Sequence, residues 1–254
     1  MTDHRHKLIL RHLRLFGQMT VEEGASLFRV SPITVRRDFR ALAEDGSVWR
    51  TRGGVRLPEL KGVAPLAMRE AEQGAVKAAL ARTAAKRLQP HDVVIIDGGT
   101  TTYHLHACLP RIPLKIITNS LPLAMAIEES RGSESWPEIH LTGGVAYPQS
   151  GVLVGPGARR ALTDYHARWT FLSAGGVGSD GISNTTELVA DVERAMIQCA
   201  ETVVVLADAT KIGRNALCKV CSLDEIDVLI TNSSPSNKQA LQSMRAKGVA
   251  VEEI

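Results

Sequence analysis

Cysteine and aromatic residues are scarce in this chain: 4 Cys, 3 Trp, 3 Tyr and 4 Phe among 254 residues. Thiols spread over Cys108, Cys199, Cys218 and Cys221, with no export signal, argue against a disulfide framework and read as reduced. So few aromatics argue against a single-strand binder that stacks bases on aromatic platforms. Long apolar runs are missing too. The longest candidates are like Val93-Val94-Ile95-Ile96, far short of the roughly 18 residues of a membrane helix. Met1 to Lys7 and the residues after them lack the apolar core and small-residue cleavage site of an export signal. The expectation is a cytoplasmic protein with no membrane contact. Cys218-Lys219-Val220-Cys221 is half a zinc pattern without a second pair, and His104 and His106 do not share a helix face. Gly175-Gly176-Val177-Gly178 lacks the G-x-G-x-x-G spacing, and no G-x-x-x-x-G-K-[ST] loop occurs. No metal and no cofactor are expected, and a kinase-like nucleotide module is disfavoured.

Hydrophobic residues make up 44% and charged residues 22%, the proportions of a globular chain able to bury a full core. Its length suits one large domain or two unequal ones. The net charge of +3 is unevenly spread. Residues 1–56 hold 11 Lys/Arg against 6 Asp/Glu, and the remainder holds 19 against 21. A small basic head on a mildly acidic body suggests that the head alone meets a polyanion.

The head reads as three short helices and a turn-rich ribbon. Ile9, Leu13 and Phe16 share one face of the first helix, and Gly17 ends it. Thr20-Val21-Glu22-Glu23 is a capping box opening the second, whose apolar positions are Val21, Ala25 and Phe28. Ser31 caps the third, with Pro32 at the first helical position, where no amide is needed. On this helix, about Pro32 to Glu44, Val35, Phe39 and Leu42 form the buried stripe. Ile33, Arg36, Arg37 and Arg40 fall on the opposite side, with Thr34 at its edge. An isolated basic helix is as readily a solvated face. Two short helices around a tight turn, the second capped by Ser-Pro and basic on one side, make a helix-turn-helix. Ser47 to Val55 then reads as a hairpin wing carrying Arg50 and Arg52. The expected DNA-contacting set is Ser31, Pro32, Ile33, Thr34, Arg36, Arg37, Arg40, Arg50 and Arg52.

Val30-Ser31-Pro32-Ile33-Thr34-Val35-Arg36-Arg37-Asp38-Phe39, followed by Arg52-Gly53-Gly54-Val55, resembles the N-terminal signature of the DeoR family of bacterial transcriptional regulators. The resemblance implies that residues 31–37 enter the major groove while Arg50 and Arg52 lie against the backbone. Residues 57–75, with Pro58 and Pro65, read as a linker. Pro65-Leu66-Ala67-Met68-Arg69 and Lys77 also resemble the family.

The body, 76–254, alternates strands and helices after an alanine-rich helix from about Gly74 to Leu88. Strands are expected at Asp92–Asp97, Leu114–Ser120, Glu138–Gly144, Thr170–Ala174, Thr202–Asp208 and Asp227–Asn232. Such repetition means a mostly parallel sheet covered on both faces, an α/β domain behind a small winged helix-turn-helix. Polar and glycine residues recur at the carboxyl ends of the strands, where open α/β sheets bind ligands. They are Asp97, Gly98, Gly99, Thr100, Thr101, Asn119, Ser120, Gly143, Gly144, Gly175, Gly176, Asp208 and Lys211. Gly98-Gly99-Thr100-Thr101 opens a helix, so its amides and hydroxyls are expected to face outward as a phosphate cradle, with Lys211 as a compact positive charge. A small anionic, hydroxylated effector fits this rim.

Asp97-Gly98-Gly99-Thr100-Thr101, Thr118-Asn119-Ser120, Gly143-Gly144, Gly175-Gly176 and Ala207-Asp208-Ala209-Thr210-Lys211 resemble the sensor domain of the same family. That domain is similar to ribose-5-phosphate isomerase and glucosamine-6-phosphate deaminase, and the resemblance implies sensing of phosphorylated sugars. After Gly181-Ile182-Ser183 many members carry Asn and then Glu; here Thr186 and Val189 stand there, with Glu187 nearby. The leading reading is a repressor of a carbohydrate-catabolism operon. It is expected to be a homo-oligomer, dimer or tetramer, that binds double-stranded operator DNA and is released by a phosphorylated sugar, with no catalytic residue. The competing reading is an isomerase or deaminase using Asp97, Asp208 or Glu187 as acid/base groups; the basic head discriminates, since an isomerase has no use for it.

Overall fold

The computed structural model describes residues 2–56, 72–131, 136–148 and 150–254, which fall into two compact units, Met1–Glu72 and Gln73–Ile254. Most of the expected linker, including Pro58 and Pro65 to Arg69, lies outside the described residues.

The first unit runs α1 (Thr2–Phe16), β1 (Gln18–Thr20), α2 (Val21–Phe28), α3 (Pro32–Glu44), β2 (Trp49–Thr51) and β3 (Gly54–Arg56). Local chemistry sets the boundaries. The Thr20 hydroxyl accepts from the Glu23 amide, and Glu23 accepts from the Thr20 amide. Ser31 accepts from the Thr34 amide ahead of Pro32. Ile9, Leu13, Met19, Val21, Val35, Phe39, Leu42, Val48 and Val55 make one core. Full burial of a side chain of this kind stabilises by about 1.5–3 kcal/mol. Phe16 departs from its expected place: it is 54% exposed, its ring 4.4 Å from that of His12. It is the last helical residue, and the chain turns away at Gly17 before any element can cover it. The wing is three-stranded, because β1 pairs antiparallel with β3 on the side opposite β2.

The second unit runs α4 (Gly74–Ala85), β4 (Val93–Ile96), α5 (Thr100–Tyr103) with a 3-10 turn at His104–Ala107, β5 (Lys115–Thr118), α6 (Leu121–Arg131) and β6 (Glu138–Leu141). A short hairpin, β7 (Val145–Ala146) and β8 (Leu153–Val154), precedes α7 (Pro156–Leu162) and β9 (Ala167–Ser173). Then come β10 (Gly176–Gly178), β11 (Gly181–Asn184), α8 (Glu187–Gln198), β12 (Ala200–Leu206), β13 (Cys218–Cys221), β14 (Val228–Thr231), α9 (Lys238–Ala246) and β15 (Ala250–Glu253). The main sheet has seven parallel strands in the order β15-β14-β12-β9-β4-β5-β6, and β10-β11-β13 form a smaller antiparallel sheet. Strand alternation divides the core. Val94, Ile96, Ile116, Phe171, Val204, Leu206 and Ile230 face α4 and α6, through Leu80, Ala84, Leu123 and Ile127. Ile95, Ile117, Leu172, Val205 and Leu229 face α7, α8 and α9. Both faces are thus covered, as the β-branched runs require. The chain winds outward from β4 to β6, then returns to β9 and winds the other way. The topological switch point lies between β4 and β9, where the crevice of such a sheet forms.

Candidate DNA-contact face and effector rim

On α3 the buried stripe is Val35, Asp38, Phe39 and Leu42. Ser31, Pro32, Ile33, Arg36, Arg37 and Arg40 are exposed, and Thr34 is half-buried at their edge. Ile33 is 76% exposed, an apolar side chain with no core to join. Arg50 and Arg52 are exposed on β2 and the wing turn. No ion pair engages any of these arginines among the described residues. Arg56 stacks over the Trp49 ring at 5.3 Å.

Asp38 is the acid that pattern reading passed over. It lies in the apolar stripe, 1% exposed, and takes a two-pronged bond from Arg5, Nε at 2.5 Å and Nη2 at 2.9 Å. The His6 ring lies 3.4 Å away. Burial pushes the carboxyl up, but the bonds and charge of Arg5 with the His6 ring outweigh it and hold Asp38 below the usual carboxylate range. A charge sitting three residues after Val35 on the buried stripe was the available signal.

At the switch point, Asp97 follows β4 and Ser173 ends β9. Asp97 is buried, and its carboxylate accepts from the Gly99 amide (3.1 Å), the Thr102 hydroxyl, and the Ser173 amide (2.9 Å) and hydroxyl (2.7 Å). Burial pushes its pKa up, with these bonds opposing. The carboxylate thus fastens the β4 turn to β9. A Cβ on Gly99 would stand 1.8 Å from the Ser173 hydroxyl, so this glycine is required by close approach. Thr100 and Thr101, expected to turn their hydroxyls outward, are buried, next to Gly98 and Gly99, which Val152 and Ser173 crowd. The first-turn amides of α5 keep the unpaired character of any helix start.

The neighbouring strands complete the rim. At the end of β5, Asn119 donates to the Leu153 carbonyl, and its Oδ1 is buried without a partner. Ser120 accepts from the Leu123 amide and so caps α6. Gly143 and Gly144, exposed, follow β6. Beyond β9, Gly175 is half-buried; Gly176, expected in a loop, is buried in strand β10 against the Arg214 carbonyl. Past β12, Asp208 is buried and bonds the Thr210 amide and hydroxyl. Lys211 follows, half-buried and without an ion-pair partner among the described residues.

Glu193 was also missed. It sits on the buried face of α8, 1% exposed, and accepts a 2.7 Å bond from Asn184 at the end of β11. Its Oε2 is buried without a partner. Burial first, then the charge of Asp97, pushes its carboxyl well above the usual range. Glu187, the nearby acid considered from sequence, is exposed at the start of α8. Cys221 is buried, which pushes its thiol up to about 12, and among the described residues no group of three or more His, Cys, Asp or Glu could hold a metal. No described helix is long and apolar enough to cross a membrane.

Comparison with known proteins gives two family matches: a DeoR-like helix-turn-helix domain over residues 5–61 and a DeoR C-terminal sensor domain over residues 72–233. The chain is 31% identical over 251 residues to the HTH-type transcriptional regulator UlaR of Shigella flexneri, covering 97% of both chains. It is 30% identical to the uncharacterised HTH-type transcriptional regulator YulB of Bacillus subtilis, covering 97% of this chain and 96% of YulB. Among solved structures, ribose 5-phosphate isomerase A from Methanocaldococcus jannaschii aligns with a TM-score of 0.38 and 16% identity, over 55% of this chain and 54% of that one.

Proposed function

The chain belongs to the DeoR family of transcriptional regulators, and we propose that it works as a repressor of a carbohydrate-catabolism operon. In this reading α3 enters the major groove of double-stranded operator DNA. Arg36, Arg37 and Arg40 meet guanine edges or phosphates, Ser31 to Thr34 pack at the groove, and Arg50 and Arg52 lie along the backbone. The observation that carries it is the capped α3, with three arginines and Ile33 presented to solvent while every other large apolar residue of that helix is buried.

The second half of the proposal is release by a phosphorylated sugar, held at the switch-point rim without being turned over. Lys211 and the first-turn amides of α5 supply the donors for the phosphate. Gly143 leaves open space beside the backbone, whereas Gly98, Gly144 and Gly175 let Val152, Val154 and Ser183 pack close and so shape the rim. Asp97, Thr100, Thr101, Ser120, Gly176 and Asp208 shape the rim from within, since their polar groups or backbones are already engaged or buried. The effector must prefer the conformation that takes the heads out of register with the operator. An oligomer, dimer or tetramer, held through the body would set that register, and its place is the cytoplasm, with the DNA.

The test uses the full chain. An operator is selected from genomic fragments by gel shift at fixed salt, and release is titrated with a panel of pentose and hexose phosphates. Lys211→Ala should raise the concentration needed for release at least tenfold without changing the melting temperature. Release of Lys211→Ala at the parent concentration would put the phosphate elsewhere.

A further inference from the structure

Two side chains beside the switch-point turn carry buried oxygens with no partner: Glu193 through Oε2 and Asn119 through Oδ1. Each is otherwise held. Asn184 fixes Oε1 of Glu193, and the Leu153 carbonyl fixes Nδ2 of Asn119. Each is 1% exposed. Asn119 follows the neighbouring β5, and Glu193 is held by Asn184, whose Cα would lie 3.2 Å from a Cβ on Gly175, two residues past the Asp97 partner Ser173; the charge of Asp97 also acts on Glu193. Asp97 itself has no free oxygen, so it cannot serve either of them. A buried polar group left without a partner is costly, so two this near Asp97 form an incomplete site.

We propose that Glu193 is a specificity-determining residue of the effector site, binding a hydroxyl of the ligand's sugar portion while Asn119 accepts from another. The inference rests on the rim reading given above and adds what reads the end of the ligand remote from the phosphate. A hydroxyl suits both partners, since it donates to the Asn119 Oδ1 and can either donate to or accept from a carboxyl. Inorganic phosphate offers neither group the same reach. Because both oxygens are closed to solvent, a ligand meets them only as the turn opens. Completing the two bonds is then a differential interaction that favours the opened form over the closed one.

The experiment is isothermal titration of the full chain with inorganic phosphate and with ribose 5-phosphate, fructose 6-phosphate and glucosamine 6-phosphate, comparing the parent, Glu193→Leu, Glu193→Gln and Lys211→Ala. Glu193→Leu should weaken the tightest sugar phosphate about tenfold, the weight of one buried hydrogen bond, and leave inorganic phosphate unchanged. Glu193→Gln, which keeps an amide able to donate and accept, should restore affinity to within about threefold of the parent. If Glu193→Leu melts early, Asn184→Ala replaces it, since freeing the carboxyl should weaken the sugar phosphate selectively as well. Equal losses for phosphate and sugar phosphate, no loss, no rescue by Gln, or no sugar phosphate binding more tightly than inorganic phosphate would each overturn the proposal. Inorganic phosphate that fails to bind, or binds Lys211→Ala as well as the parent, would instead remove the rim reading and this one with it.

Discussion

Replacing Arg5 by Met removes the partner of a carboxylate that has nowhere to go. Asp38 is 1% exposed on α3, and Arg5, 16% exposed on α1, covers both of its oxygens at 2.5 and 2.9 Å. Breaking a buried pair from one side costs about 3–5 kcal/mol, because the surviving charge stays buried. The partial exposure of Arg5 lets water reach the site, which places the expected cost near the lower end, about 3 kcal/mol. That is a large share of the roughly 5–15 kcal/mol that holds a domain folded. The Arg5→Met, Asp38→Leu double variant should recover most of the loss, because it buries no charge at all. Hydrogen exchange of the 32–44 segment in the full chain, read by mass spectrometry, reports the opening free energy of the head apart from the body. A coupling of at least about 2 kcal/mol in the double-mutant cycle is expected. The pH dependence has a definite sign. A carboxyl held below its unfolded value of 3.8 stabilises above that pH and loses its contribution as pH falls through the folded value. Parent and Arg5→Met should therefore converge in acid. Additive single costs, with no convergence, would refute the view that this pair fastens α3 to α1.

Arg37→Ala should weaken operator binding by about 1–3 kcal/mol and relax preference at one base pair, whereas Arg50→Ala should weaken all sequences alike and flatten the salt slope. Gel shifts on matched and scrambled duplexes at several salt concentrations separate the two. Glu193 has a folded pKa raised above its unfolded value of 4.5, so its contribution to stability is full below that pH and is lost as pH rises through the folded value. Urea midpoints between pH 5 and 8 should show Glu193→Gln gaining on the parent as pH rises, and parallel curves would contradict this. Gly24→Ala sets a helix-propensity gain of about 1 kcal/mol against overpacking of about 1–3 kcal/mol. A Cβ there would lie 2.9 Å from Val35 Cγ1, on a side chain stiff at χ1, so overpacking should win and the head should melt earlier.

Much of this fold is legible before any coordinates. The head's helices are bounded by bonds between residues three apart, Thr20 with Glu23 and Ser31 with Thr34, so their limits are written locally. The five inner strands of the main sheet are short apolar runs, mostly β-branched, which parallel strands buried on both faces must be. What escaped reading depends on distant partners. β1 is three residues long and exists because β3 pairs with it. β15 is an edge strand whose Glu252 and Glu253 look like a solvated tail until Arg87 and Arg245 meet them. Asp38 and Glu193 sit on apolar stripes, where a periodicity count treats an acid as noise. Their meaning comes from Arg5, 33 residues away, and from Asn184 across the β11–α8 corner.

The same distinction separates scaffold from function at the rim. A polar side chain whose bonds are complete inside the protein can position a site but has little left to offer a ligand. Asp97 is of this kind, and Ser120 and Asp208 are engaged in part, although the sequence pattern places them beside residues that are not. Among the groups left uncommitted are Lys211, the opening amides of α5, Asn119 Oδ1 and Glu193 Oε2. Two of these suit an anion and two suit hydroxyls. Lys211, the α5 start and Asn119 follow the carboxyl ends of β12, β4 and β5, and Glu193 stands on α8, which packs against the same sheet. On the head, the corresponding remainder is Ile33, Arg36, Arg37 and Arg40, exposed on a helix whose buried acid, Asp38, is already paired. In both units, then, the fully bonded buried carboxylates, Asp38 and Asp97, hold geometry, and the groups left without protein partners are the ones to test for a ligand.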